Sequence, residues 1–182
     1  MAFRTLAALL LCSLAVSTVH AAGVEAEHLT EFGKGIITDY SDMSEAGDIE
    51  WAWVAPGTKL SKHRFTTAPV QNLTSVTNGD MKETFDRDMG RALKDISANN
   101  PDAPELQVTS AIYWANRASA GKRWIPYAGG HLAQAGIGIE LVVTDAAGKI
   151  VAKVRHSGRE GDELENAAEE LVDDFTSFLE SR

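Results

Sequence analysis

Four histidines lie beyond the first twenty residues: His28, His63, His131 and His156. None is within three to five residues of another. A metal site legible in sequence needs its ligands clustered at helical or turn spacing, so no metal ligand and no cofactor is assigned. Asp39, Asp42, Asp48 and Glu50 do lie close together, in an irregular stretch. Neighbouring carboxylates can push each other's pKa apart for acid/base work, and a small hydrolase could use them with His63 or His131 brought in by folding. They lack the ordered spacing of a calcium loop, and the plainer reading is a solvated acidic loop. No Gly-x-Ser-x-Gly turn occurs and Ser61 sits in no nucleophile elbow. No catalytic residue is assigned.

Glycines and aromatics give the candidate binding residues. Gly136-x-Gly138 enters and lies inside an expected strand, so it is no dinucleotide fingerprint, which must lead into a helix. With Ala111 and Tyr113 on the neighbouring strand, Gly136 and Gly138 leave a flat strip that a ring or backbone can approach closely. The expected cover is the chain's own Trp51/Trp53 segment; the alternative is a docked partner or an apolar ligand. Trp124 and Tyr127 lie in a long loop beside Lys122 and Arg123 and are the best exposed aromatic candidates. Trp51, Trp53, Trp114, Trp124 and Tyr127 could together line a groove, although aromatics in irregular segments more often pin loops to a core.

The elements that position these residues follow from periodicity. Arg64 to Thr74 alternates as a strand, with Pro69 demanding an edge position or a bulge. Asp80 to Ile96 is a helix with Met81, Phe85, Met89, Ala92, Leu93 and Ile96 on one stripe, and Asp80 with Glu83 suits a capping box. Leu106 to Asn116 is a strand with Leu106, Val108, Ile112 and Trp114 on one face. Leu132 to Thr144 and Lys149 to His156 are strands joined by a hairpin at Asp145–Gly148. Asp162 to Leu179 is a second helix, with Asp162 and Glu165 repeating the capping pattern. Strand, helix, three strands, helix predicts an α/β (α+β) fold: a two-layer sandwich with a mixed, mostly antiparallel four-stranded sheet and two helices on one face. Trp51-Ala52-Trp53-Val54 is a short extended piece with both indoles on one side. His28 reads as solvated leader and His156 as a strand-end surface group.

Residues 1–21 carry Arg4, an apolar run from Leu6 to Val16, and the small-residue exit Val19-His20-Ala21. Those are the three parts of a cleavable secretory signal, and the run falls short of the ~20 residues of a permanent span. Cleavage after Ala22 is nearly as suitable. Cys12, the one cysteine, follows Leu11 rather than a small residue, so it suits an h-region better than a lipidation site. The mature chain then has no thiol and no disulfide. The organisation reads as signal peptide 1–21, flexible leader 22–34 and a single α/β domain over 35–182. The formal net charge is −9, one unit more negative without Arg4. That opposes binding to nucleic acid and to anionic lipid.

Two sets of motifs carry a resemblance. Gly35-x-x-x-Asp39-Tyr40-Ser41 is followed by Trp53-Val54-x-Pro56-Gly57-x-x-Leu60-Ser61-Lys62. Toward the end come Asp145-x-x-Gly148-Lys149, then Arg155-His156-x-Gly158, then an acidic amphipathic helix. The pattern resembles an uncharacterised bacterial family of envelope lipoproteins, of the type called domain of unknown function 3313. The resemblance implies a small periplasm-facing α/β domain; the family carries no assigned activity, so no functional residue transfers. His63 stands where the family has tyrosine, and Cys12 is not a convincing lipidation site. The expected function is an exported, periplasmic or secreted, non-enzymatic binding or envelope-assembly module with an envelope protein partner, no nucleic acid and no membrane span of its own. The alternatives are the hydrolase above and a small apolar-ligand carrier using space between the Trp51/Trp53 segment and the sheet.

Overall fold

The computed structural model describes residues 23–24, 26–76, 79–118 and 134–182. Its elements are α1 (Ala26–Phe32), β1 (Ser44–Ala46), β2 (Ile49–Val54), a 3₁₀ turn (Leu60–Lys62), β3 (Arg64–Thr67), β4 (Gln71–Asn72), α2 (Gly79–Ala98), β5 (Glu105–Asn116), β6 (Gly136–Thr144), β7 (Ile150–Arg159) and α3 (Leu164–Ser181). The expected leader 1–21, the expected loop with Trp124 and Tyr127, and His131 lie outside the described residues.

The sheet runs β1-β2-β7-β6-β5-β3, with β4 also paired to β5. β3 and β4 are parallel to β5 and every other pairing is antiparallel. The mixed, mostly antiparallel α+β character is as expected, but the sheet has seven strands, not four. The extra strands have local causes. Gly47, at φ 72°, turns β1 onto β2. The tryptophan segment is itself β2, paired along β7 from Trp51↔Arg155 to Val54↔Ala152. Pro69 splits the expected Arg64–Thr74 strand into β3 and β4, at the sheet edge where a missing N–H is tolerated.

Helices α2 and α3 cover one face. Met81, Phe85, Met89, Leu93 and Ile96 of α2 and Leu164, Ala168, Leu171, Phe175, Phe178 and Leu179 of α3 meet Val108, Ile112, Ile137, Ile139, Leu141 and Val143 in one core. α3 begins two residues later than the sequence suggests. Its N-cap is Glu163, which makes no side-chain capping bond. Gly158 lets α3 approach β7: a Cβ there would lie 2.7 Å from Glu170 Oε2.

The opposite face is also covered, which composition did not suggest. Residues 22–34, expected as a flexible leader, include α1, and the chain from Val24 to Met43 forms a strap across this face. Val24, Ile37, Tyr40 and Met43 are buried there, packed with Leu29, Trp51, Trp53 and Val142. A bulge between Ile112 and Trp114 disturbs the alternation of β5 and corrects the expected face of Trp114. Both Tyr113 and Trp114 lie over the glycine strip: a Cβ on Gly138 would sit 2.5 Å from Tyr113 Cζ, and one on Gly136 2.7 Å from the Trp114 ring. The cover over Gly136 and Gly138 is therefore Tyr113 and Trp114, not the Trp51/Trp53 segment, which is a strand in the same sheet.

Gly138→Val drives a branched side chain into the Tyr113 ring and should destabilise by about 1–3 kcal/mol, the ordinary cost of overpacking. Urea unfolding followed by tryptophan fluorescence checks it.

Candidate functional site

The polar centre of the molecule lies under the strap. Strand alternation aims Lys153 and Arg155 of β7 and Glu140 of β6 at the strap face, with Glu140 directly opposite Arg155. Glu140 and Arg155 are fully buried and form an ion pair. Such a pair holds only if its remaining lone pairs and protons are satisfied. Here the strap supplies most of the partners, and Arg155 Nε alone of the pair's polar atoms stays buried without one among the described residues. Ile37 N–H donates to Glu140 Oε2 at 2.8 Å and the Tyr40 hydroxyl to Oε1 at 2.9 Å. Arg155 donates to the carbonyl of Gly33 at 2.9 Å. Its guanidinium also stacks on the Tyr113 ring, 3.6 Å from the centroid. Burial, then the neighbouring Glu140 carboxylate, pushes the Tyr40 hydroxyl up to about 12, and burial pushes Tyr113 up as well. Both phenols are neutral donors or ring platforms at physiological pH.

Lys153 makes the second tie. It donates to the Asp39 carbonyl at 2.7 Å and forms an ion pair with Asp42, its ammonium 5.2 Å from the Trp53 ring centroid. Asp39 turns its carboxylate onto Ser41, accepting from its N–H at 2.9 Å and its hydroxyl at 2.7 Å; those bonds hold the Asp39 carboxyl below the usual range. Gly35 completes the arrangement, since a Cβ there would lie 2.6 Å from Glu140 Cδ. Gly35, Asp39, Tyr40, Ser41 and Arg155, quoted above as motif residues, thus meet in one place. The signal for Glu140 and Lys153 was legible as charges on a strand, but their inward aim needed the strap.

The histidines fall differently from expectation. His28 is not solvated: its ring lies 4.3 Å from Trp51 and 4.6 Å from Phe32. Burial, then Arg155, lowers its pKa to about 4. His156 is no surface group either. It is 7 % exposed, accepts from Glu50 N–H at Nδ1 at 3.3 Å, and meets Asp174 of α3 at 2.9 Å through Nε2. It pins α3 and β2 to β7. Neighbouring Ser157 bonds Glu50 at 3.0 Å and points away from the imidazole as strand alternation requires, so the two do not form a nucleophile–base pair. His63 donates through Nδ1 to the Lys59 carbonyl at 2.8 Å, and no bond joins it to Asp39, Asp42 or Asp48 among the described contacts. No group of three His, Cys, Asp or Glu among the described residues could hold a metal ion.

Of the named binding residues, Trp51 and Trp53 are half-buried beneath the strap, and Gly136 and Gly138 are roofed by Tyr113 and Trp114. Trp124 and Tyr127 lie outside the described residues. Two hollows flank the β1–β2 hairpin, of about 350 Å³ beside Trp53 and Phe178 and about 330 Å³ beside Gly47 and Trp51. Both open at the sheet margin; neither is the enclosed space over the sheet that a carrier of apolar ligands would need. A larger groove of about 600 Å³ runs between α2 and α3, lined by Arg87, Arg91, Asp95, Glu169 and Asp173 among others.

No protein-family model and no curated protein sequence matches the chain. Solved structures do. The fold is similar to that of PelC. One structure of the PelC dodecamer from Paraburkholderia phytofirmans, a leucine-to-methionine variant, aligns at TM-score 0.50 and 12% identity, covering 72% of this chain and 95% of that one. A second PelC dodecamer structure from the same organism aligns at TM-score 0.42 and 10% identity, covering 71% and 92%. At this identity the likeness to PelC is one of fold.

Two outcomes follow from the geometry. Glu140→Ala strands the Arg155 charge and removes the acceptor for Ile37 and Tyr40, so the loss should reach about 3–5 kcal/mol, measured by urea denaturation. His28, with its pKa lowered from 6.5 to about 4, binds a proton more readily in the unfolded chain. Its contribution to strap docking is therefore intact above 6.5 and is lost as pH falls toward 4. Proton NMR of the His28 ring should show that low titration, and a midpoint near 6.5 would contradict it.

Proposed function

We propose that this chain is an exported, periplasmic or secreted module of the bacterial envelope that acts by binding and assembly rather than by catalysis. The observation that carries the reading is the use made of the chemically able side chains. Asp39, Asp42, Glu140, Lys153 and Arg155 point at one another and at strap backbone, and His156 is spent on Asp174 and Glu50. Their partners among the described residues are structural, which supports binding at the surface over chemistry at a reactive centre. The leader at 1–21 supports export, and the motif resemblance to envelope lipoproteins supports the compartment. Among the described residues no helix is long and apolar enough to cross a membrane, so attachment would run through a partner. Trp124 and Tyr127, in their basic loop, are the residues proposed to meet that partner.

The PelC structures of similar fold are dodecamers, which favours self-association as the form of assembly for this chain as well. Light scattering on the processed protein should then give a mass well above that of one chain. Capture from envelope extracts should enrich a defined protein that is lost with Trp124→Ala or Tyr127→Ala. A monomer at every concentration, with no enriched partner, contradicts the assembly reading; the intact chain in the cytosolic fraction contradicts export.

A further inference from the structure

The groove between α2 and α3 carries charge of both signs, divided between the two helices. Arg87 and Arg91 stand one turn apart on α2, with side chains 55 % and 68 % exposed. Glu169, Asp173 and Glu180 line the α3 side and fall on one helix stripe. Both arginines grip Asp88, so that acid is already neutralised. Arg87 also comes within 3.8 Å of Glu169, while Asp173 and Glu180 make no ion pair among the described residues. Exposed pairs of this kind hold weakly, and a guanidinium has donors to spare. Between the rows lie half-buried Ala92 and buried Val172, an apolar floor.

The helices run in the same direction. Asp80 and Leu164, near their starts, line one hollow, and Arg87 lies level with Glu169. That decides which symmetric contact the charges favour. A two-fold axis along the groove sets α2 of one copy on α3 of the other at equal height, and a two-fold contact repeats every pairing. Arg87 and Arg91 then meet Glu169 and Asp173 twice over. A two-fold axis across the groove would instead set α3 on α3, acid against acid. Asp95, a turn beyond Arg91, is the one ungripped acid on the α2 side of the groove, so the attraction is carried by the stretch nearer Arg87. The area suffices: 18 residues of α3 beside α2 present a face of about 27 Å by roughly 20 Å, about 1,000 Å² over two copies, the lower bound for a specific interface.

We propose that this face is where two copies of the chain meet, related by a two-fold axis along the groove, with the basic row of each α2 on the acidic row of the other copy's α3. The inference rests on the self-associating reading of this chain and names its surface.

The test is sedimentation velocity of the processed chain over a concentration series at low salt, where exposed charges are least screened. Arg87→Glu with Arg91→Glu makes both rows acidic. Glu169→Lys with Asp173→Lys turns the facing stretch of α3 basic, like α2. Far-UV circular dichroism checks the fold, and Arg91→Glu and Asp173→Lys alone carry the same test if a double change unfolds the helices. Wild type should associate, and each variant on the order of tenfold more weakly, because like charges now oppose. An equimolar mixture of the two variants should recover wild-type association, since each row again faces its opposite; a loosened fold cannot produce recovery on mixing. Variants that associate as wild type does, or a mixture no stronger than its components, overturn this surface and leave self-association standing. A wild type that stays monomeric overturns both.

Discussion

The strap face depends on one buried ion pair. A carboxylate and a guanidinium taken wholly out of water cost several kcal/mol each, and their mutual attraction offsets this only when the remaining donors and acceptors are largely met. Glu140 and Arg155 cannot meet that condition from the sheet alone. The strap brings Ile37 N–H, the Tyr40 hydroxyl and the Gly33 carbonyl to them. Dependence runs both ways. Without the pair the strap would bury unpaired backbone over an apolar sheet, and without the strap the pair would be half-solvated on an open face.

The rest of the architecture arranges itself around that constraint. Alternation along β7 places Lys153 and Arg155 on the strap side and Ala152 and Val154 on the helix side, so one strand serves an ionic layer and an apolar layer at once. The bulge in β5 turns Tyr113 and Trp114 together onto the glycine strip, where Tyr113 also becomes the platform for Arg155. His156 and Gly158 then fix α3 against the same strand from the other side. The result is three layers, strap, sheet and helices, tied through β7. Its edges are guarded. Phe65 and Val70 at the β3 side donate their N–H groups to Ser97 and Asp86 of α2 at 2.8 and 2.6 Å, and β1 is short, charged and irregular in register. Such edges resist stray strand pairing.

The helix layer was legible because its signal is local. Met81 to Ile96 and Leu164 to Leu179 repeat at helical spacing, and the apolar faces of β6 and β7 alternate cleanly. The strap was not legible, because its polar residues gain partners about a hundred positions away: Tyr40 bonds Glu140, and Asp42 pairs with Lys153. A segment with Gly33, Gly35 and several carboxylates reads as solvent-exposed until those partners are placed. The same distance hid the candidate site. Gly35, Tyr40 and Arg155 were visible as motif residues, but only folding shows that a single carboxylate is what they share. Trp114 was assigned to the wrong face because a bulge leaves no mark in the alternation of side-chain types, and β2 was seen as extended without the pairing that makes it a strand.

Native-state hydrogen exchange at the amides of Ile37 and Val24 tests this account most directly. If the strap is one cooperative unit held through the buried pair, both amides open with a single free energy, and Glu140→Gln lowers it for both while amides of α2 keep theirs. Free exchange of Ile37 in the unaltered protein, or protection indifferent to Glu140→Gln, would mean that the strap is not held by that pair.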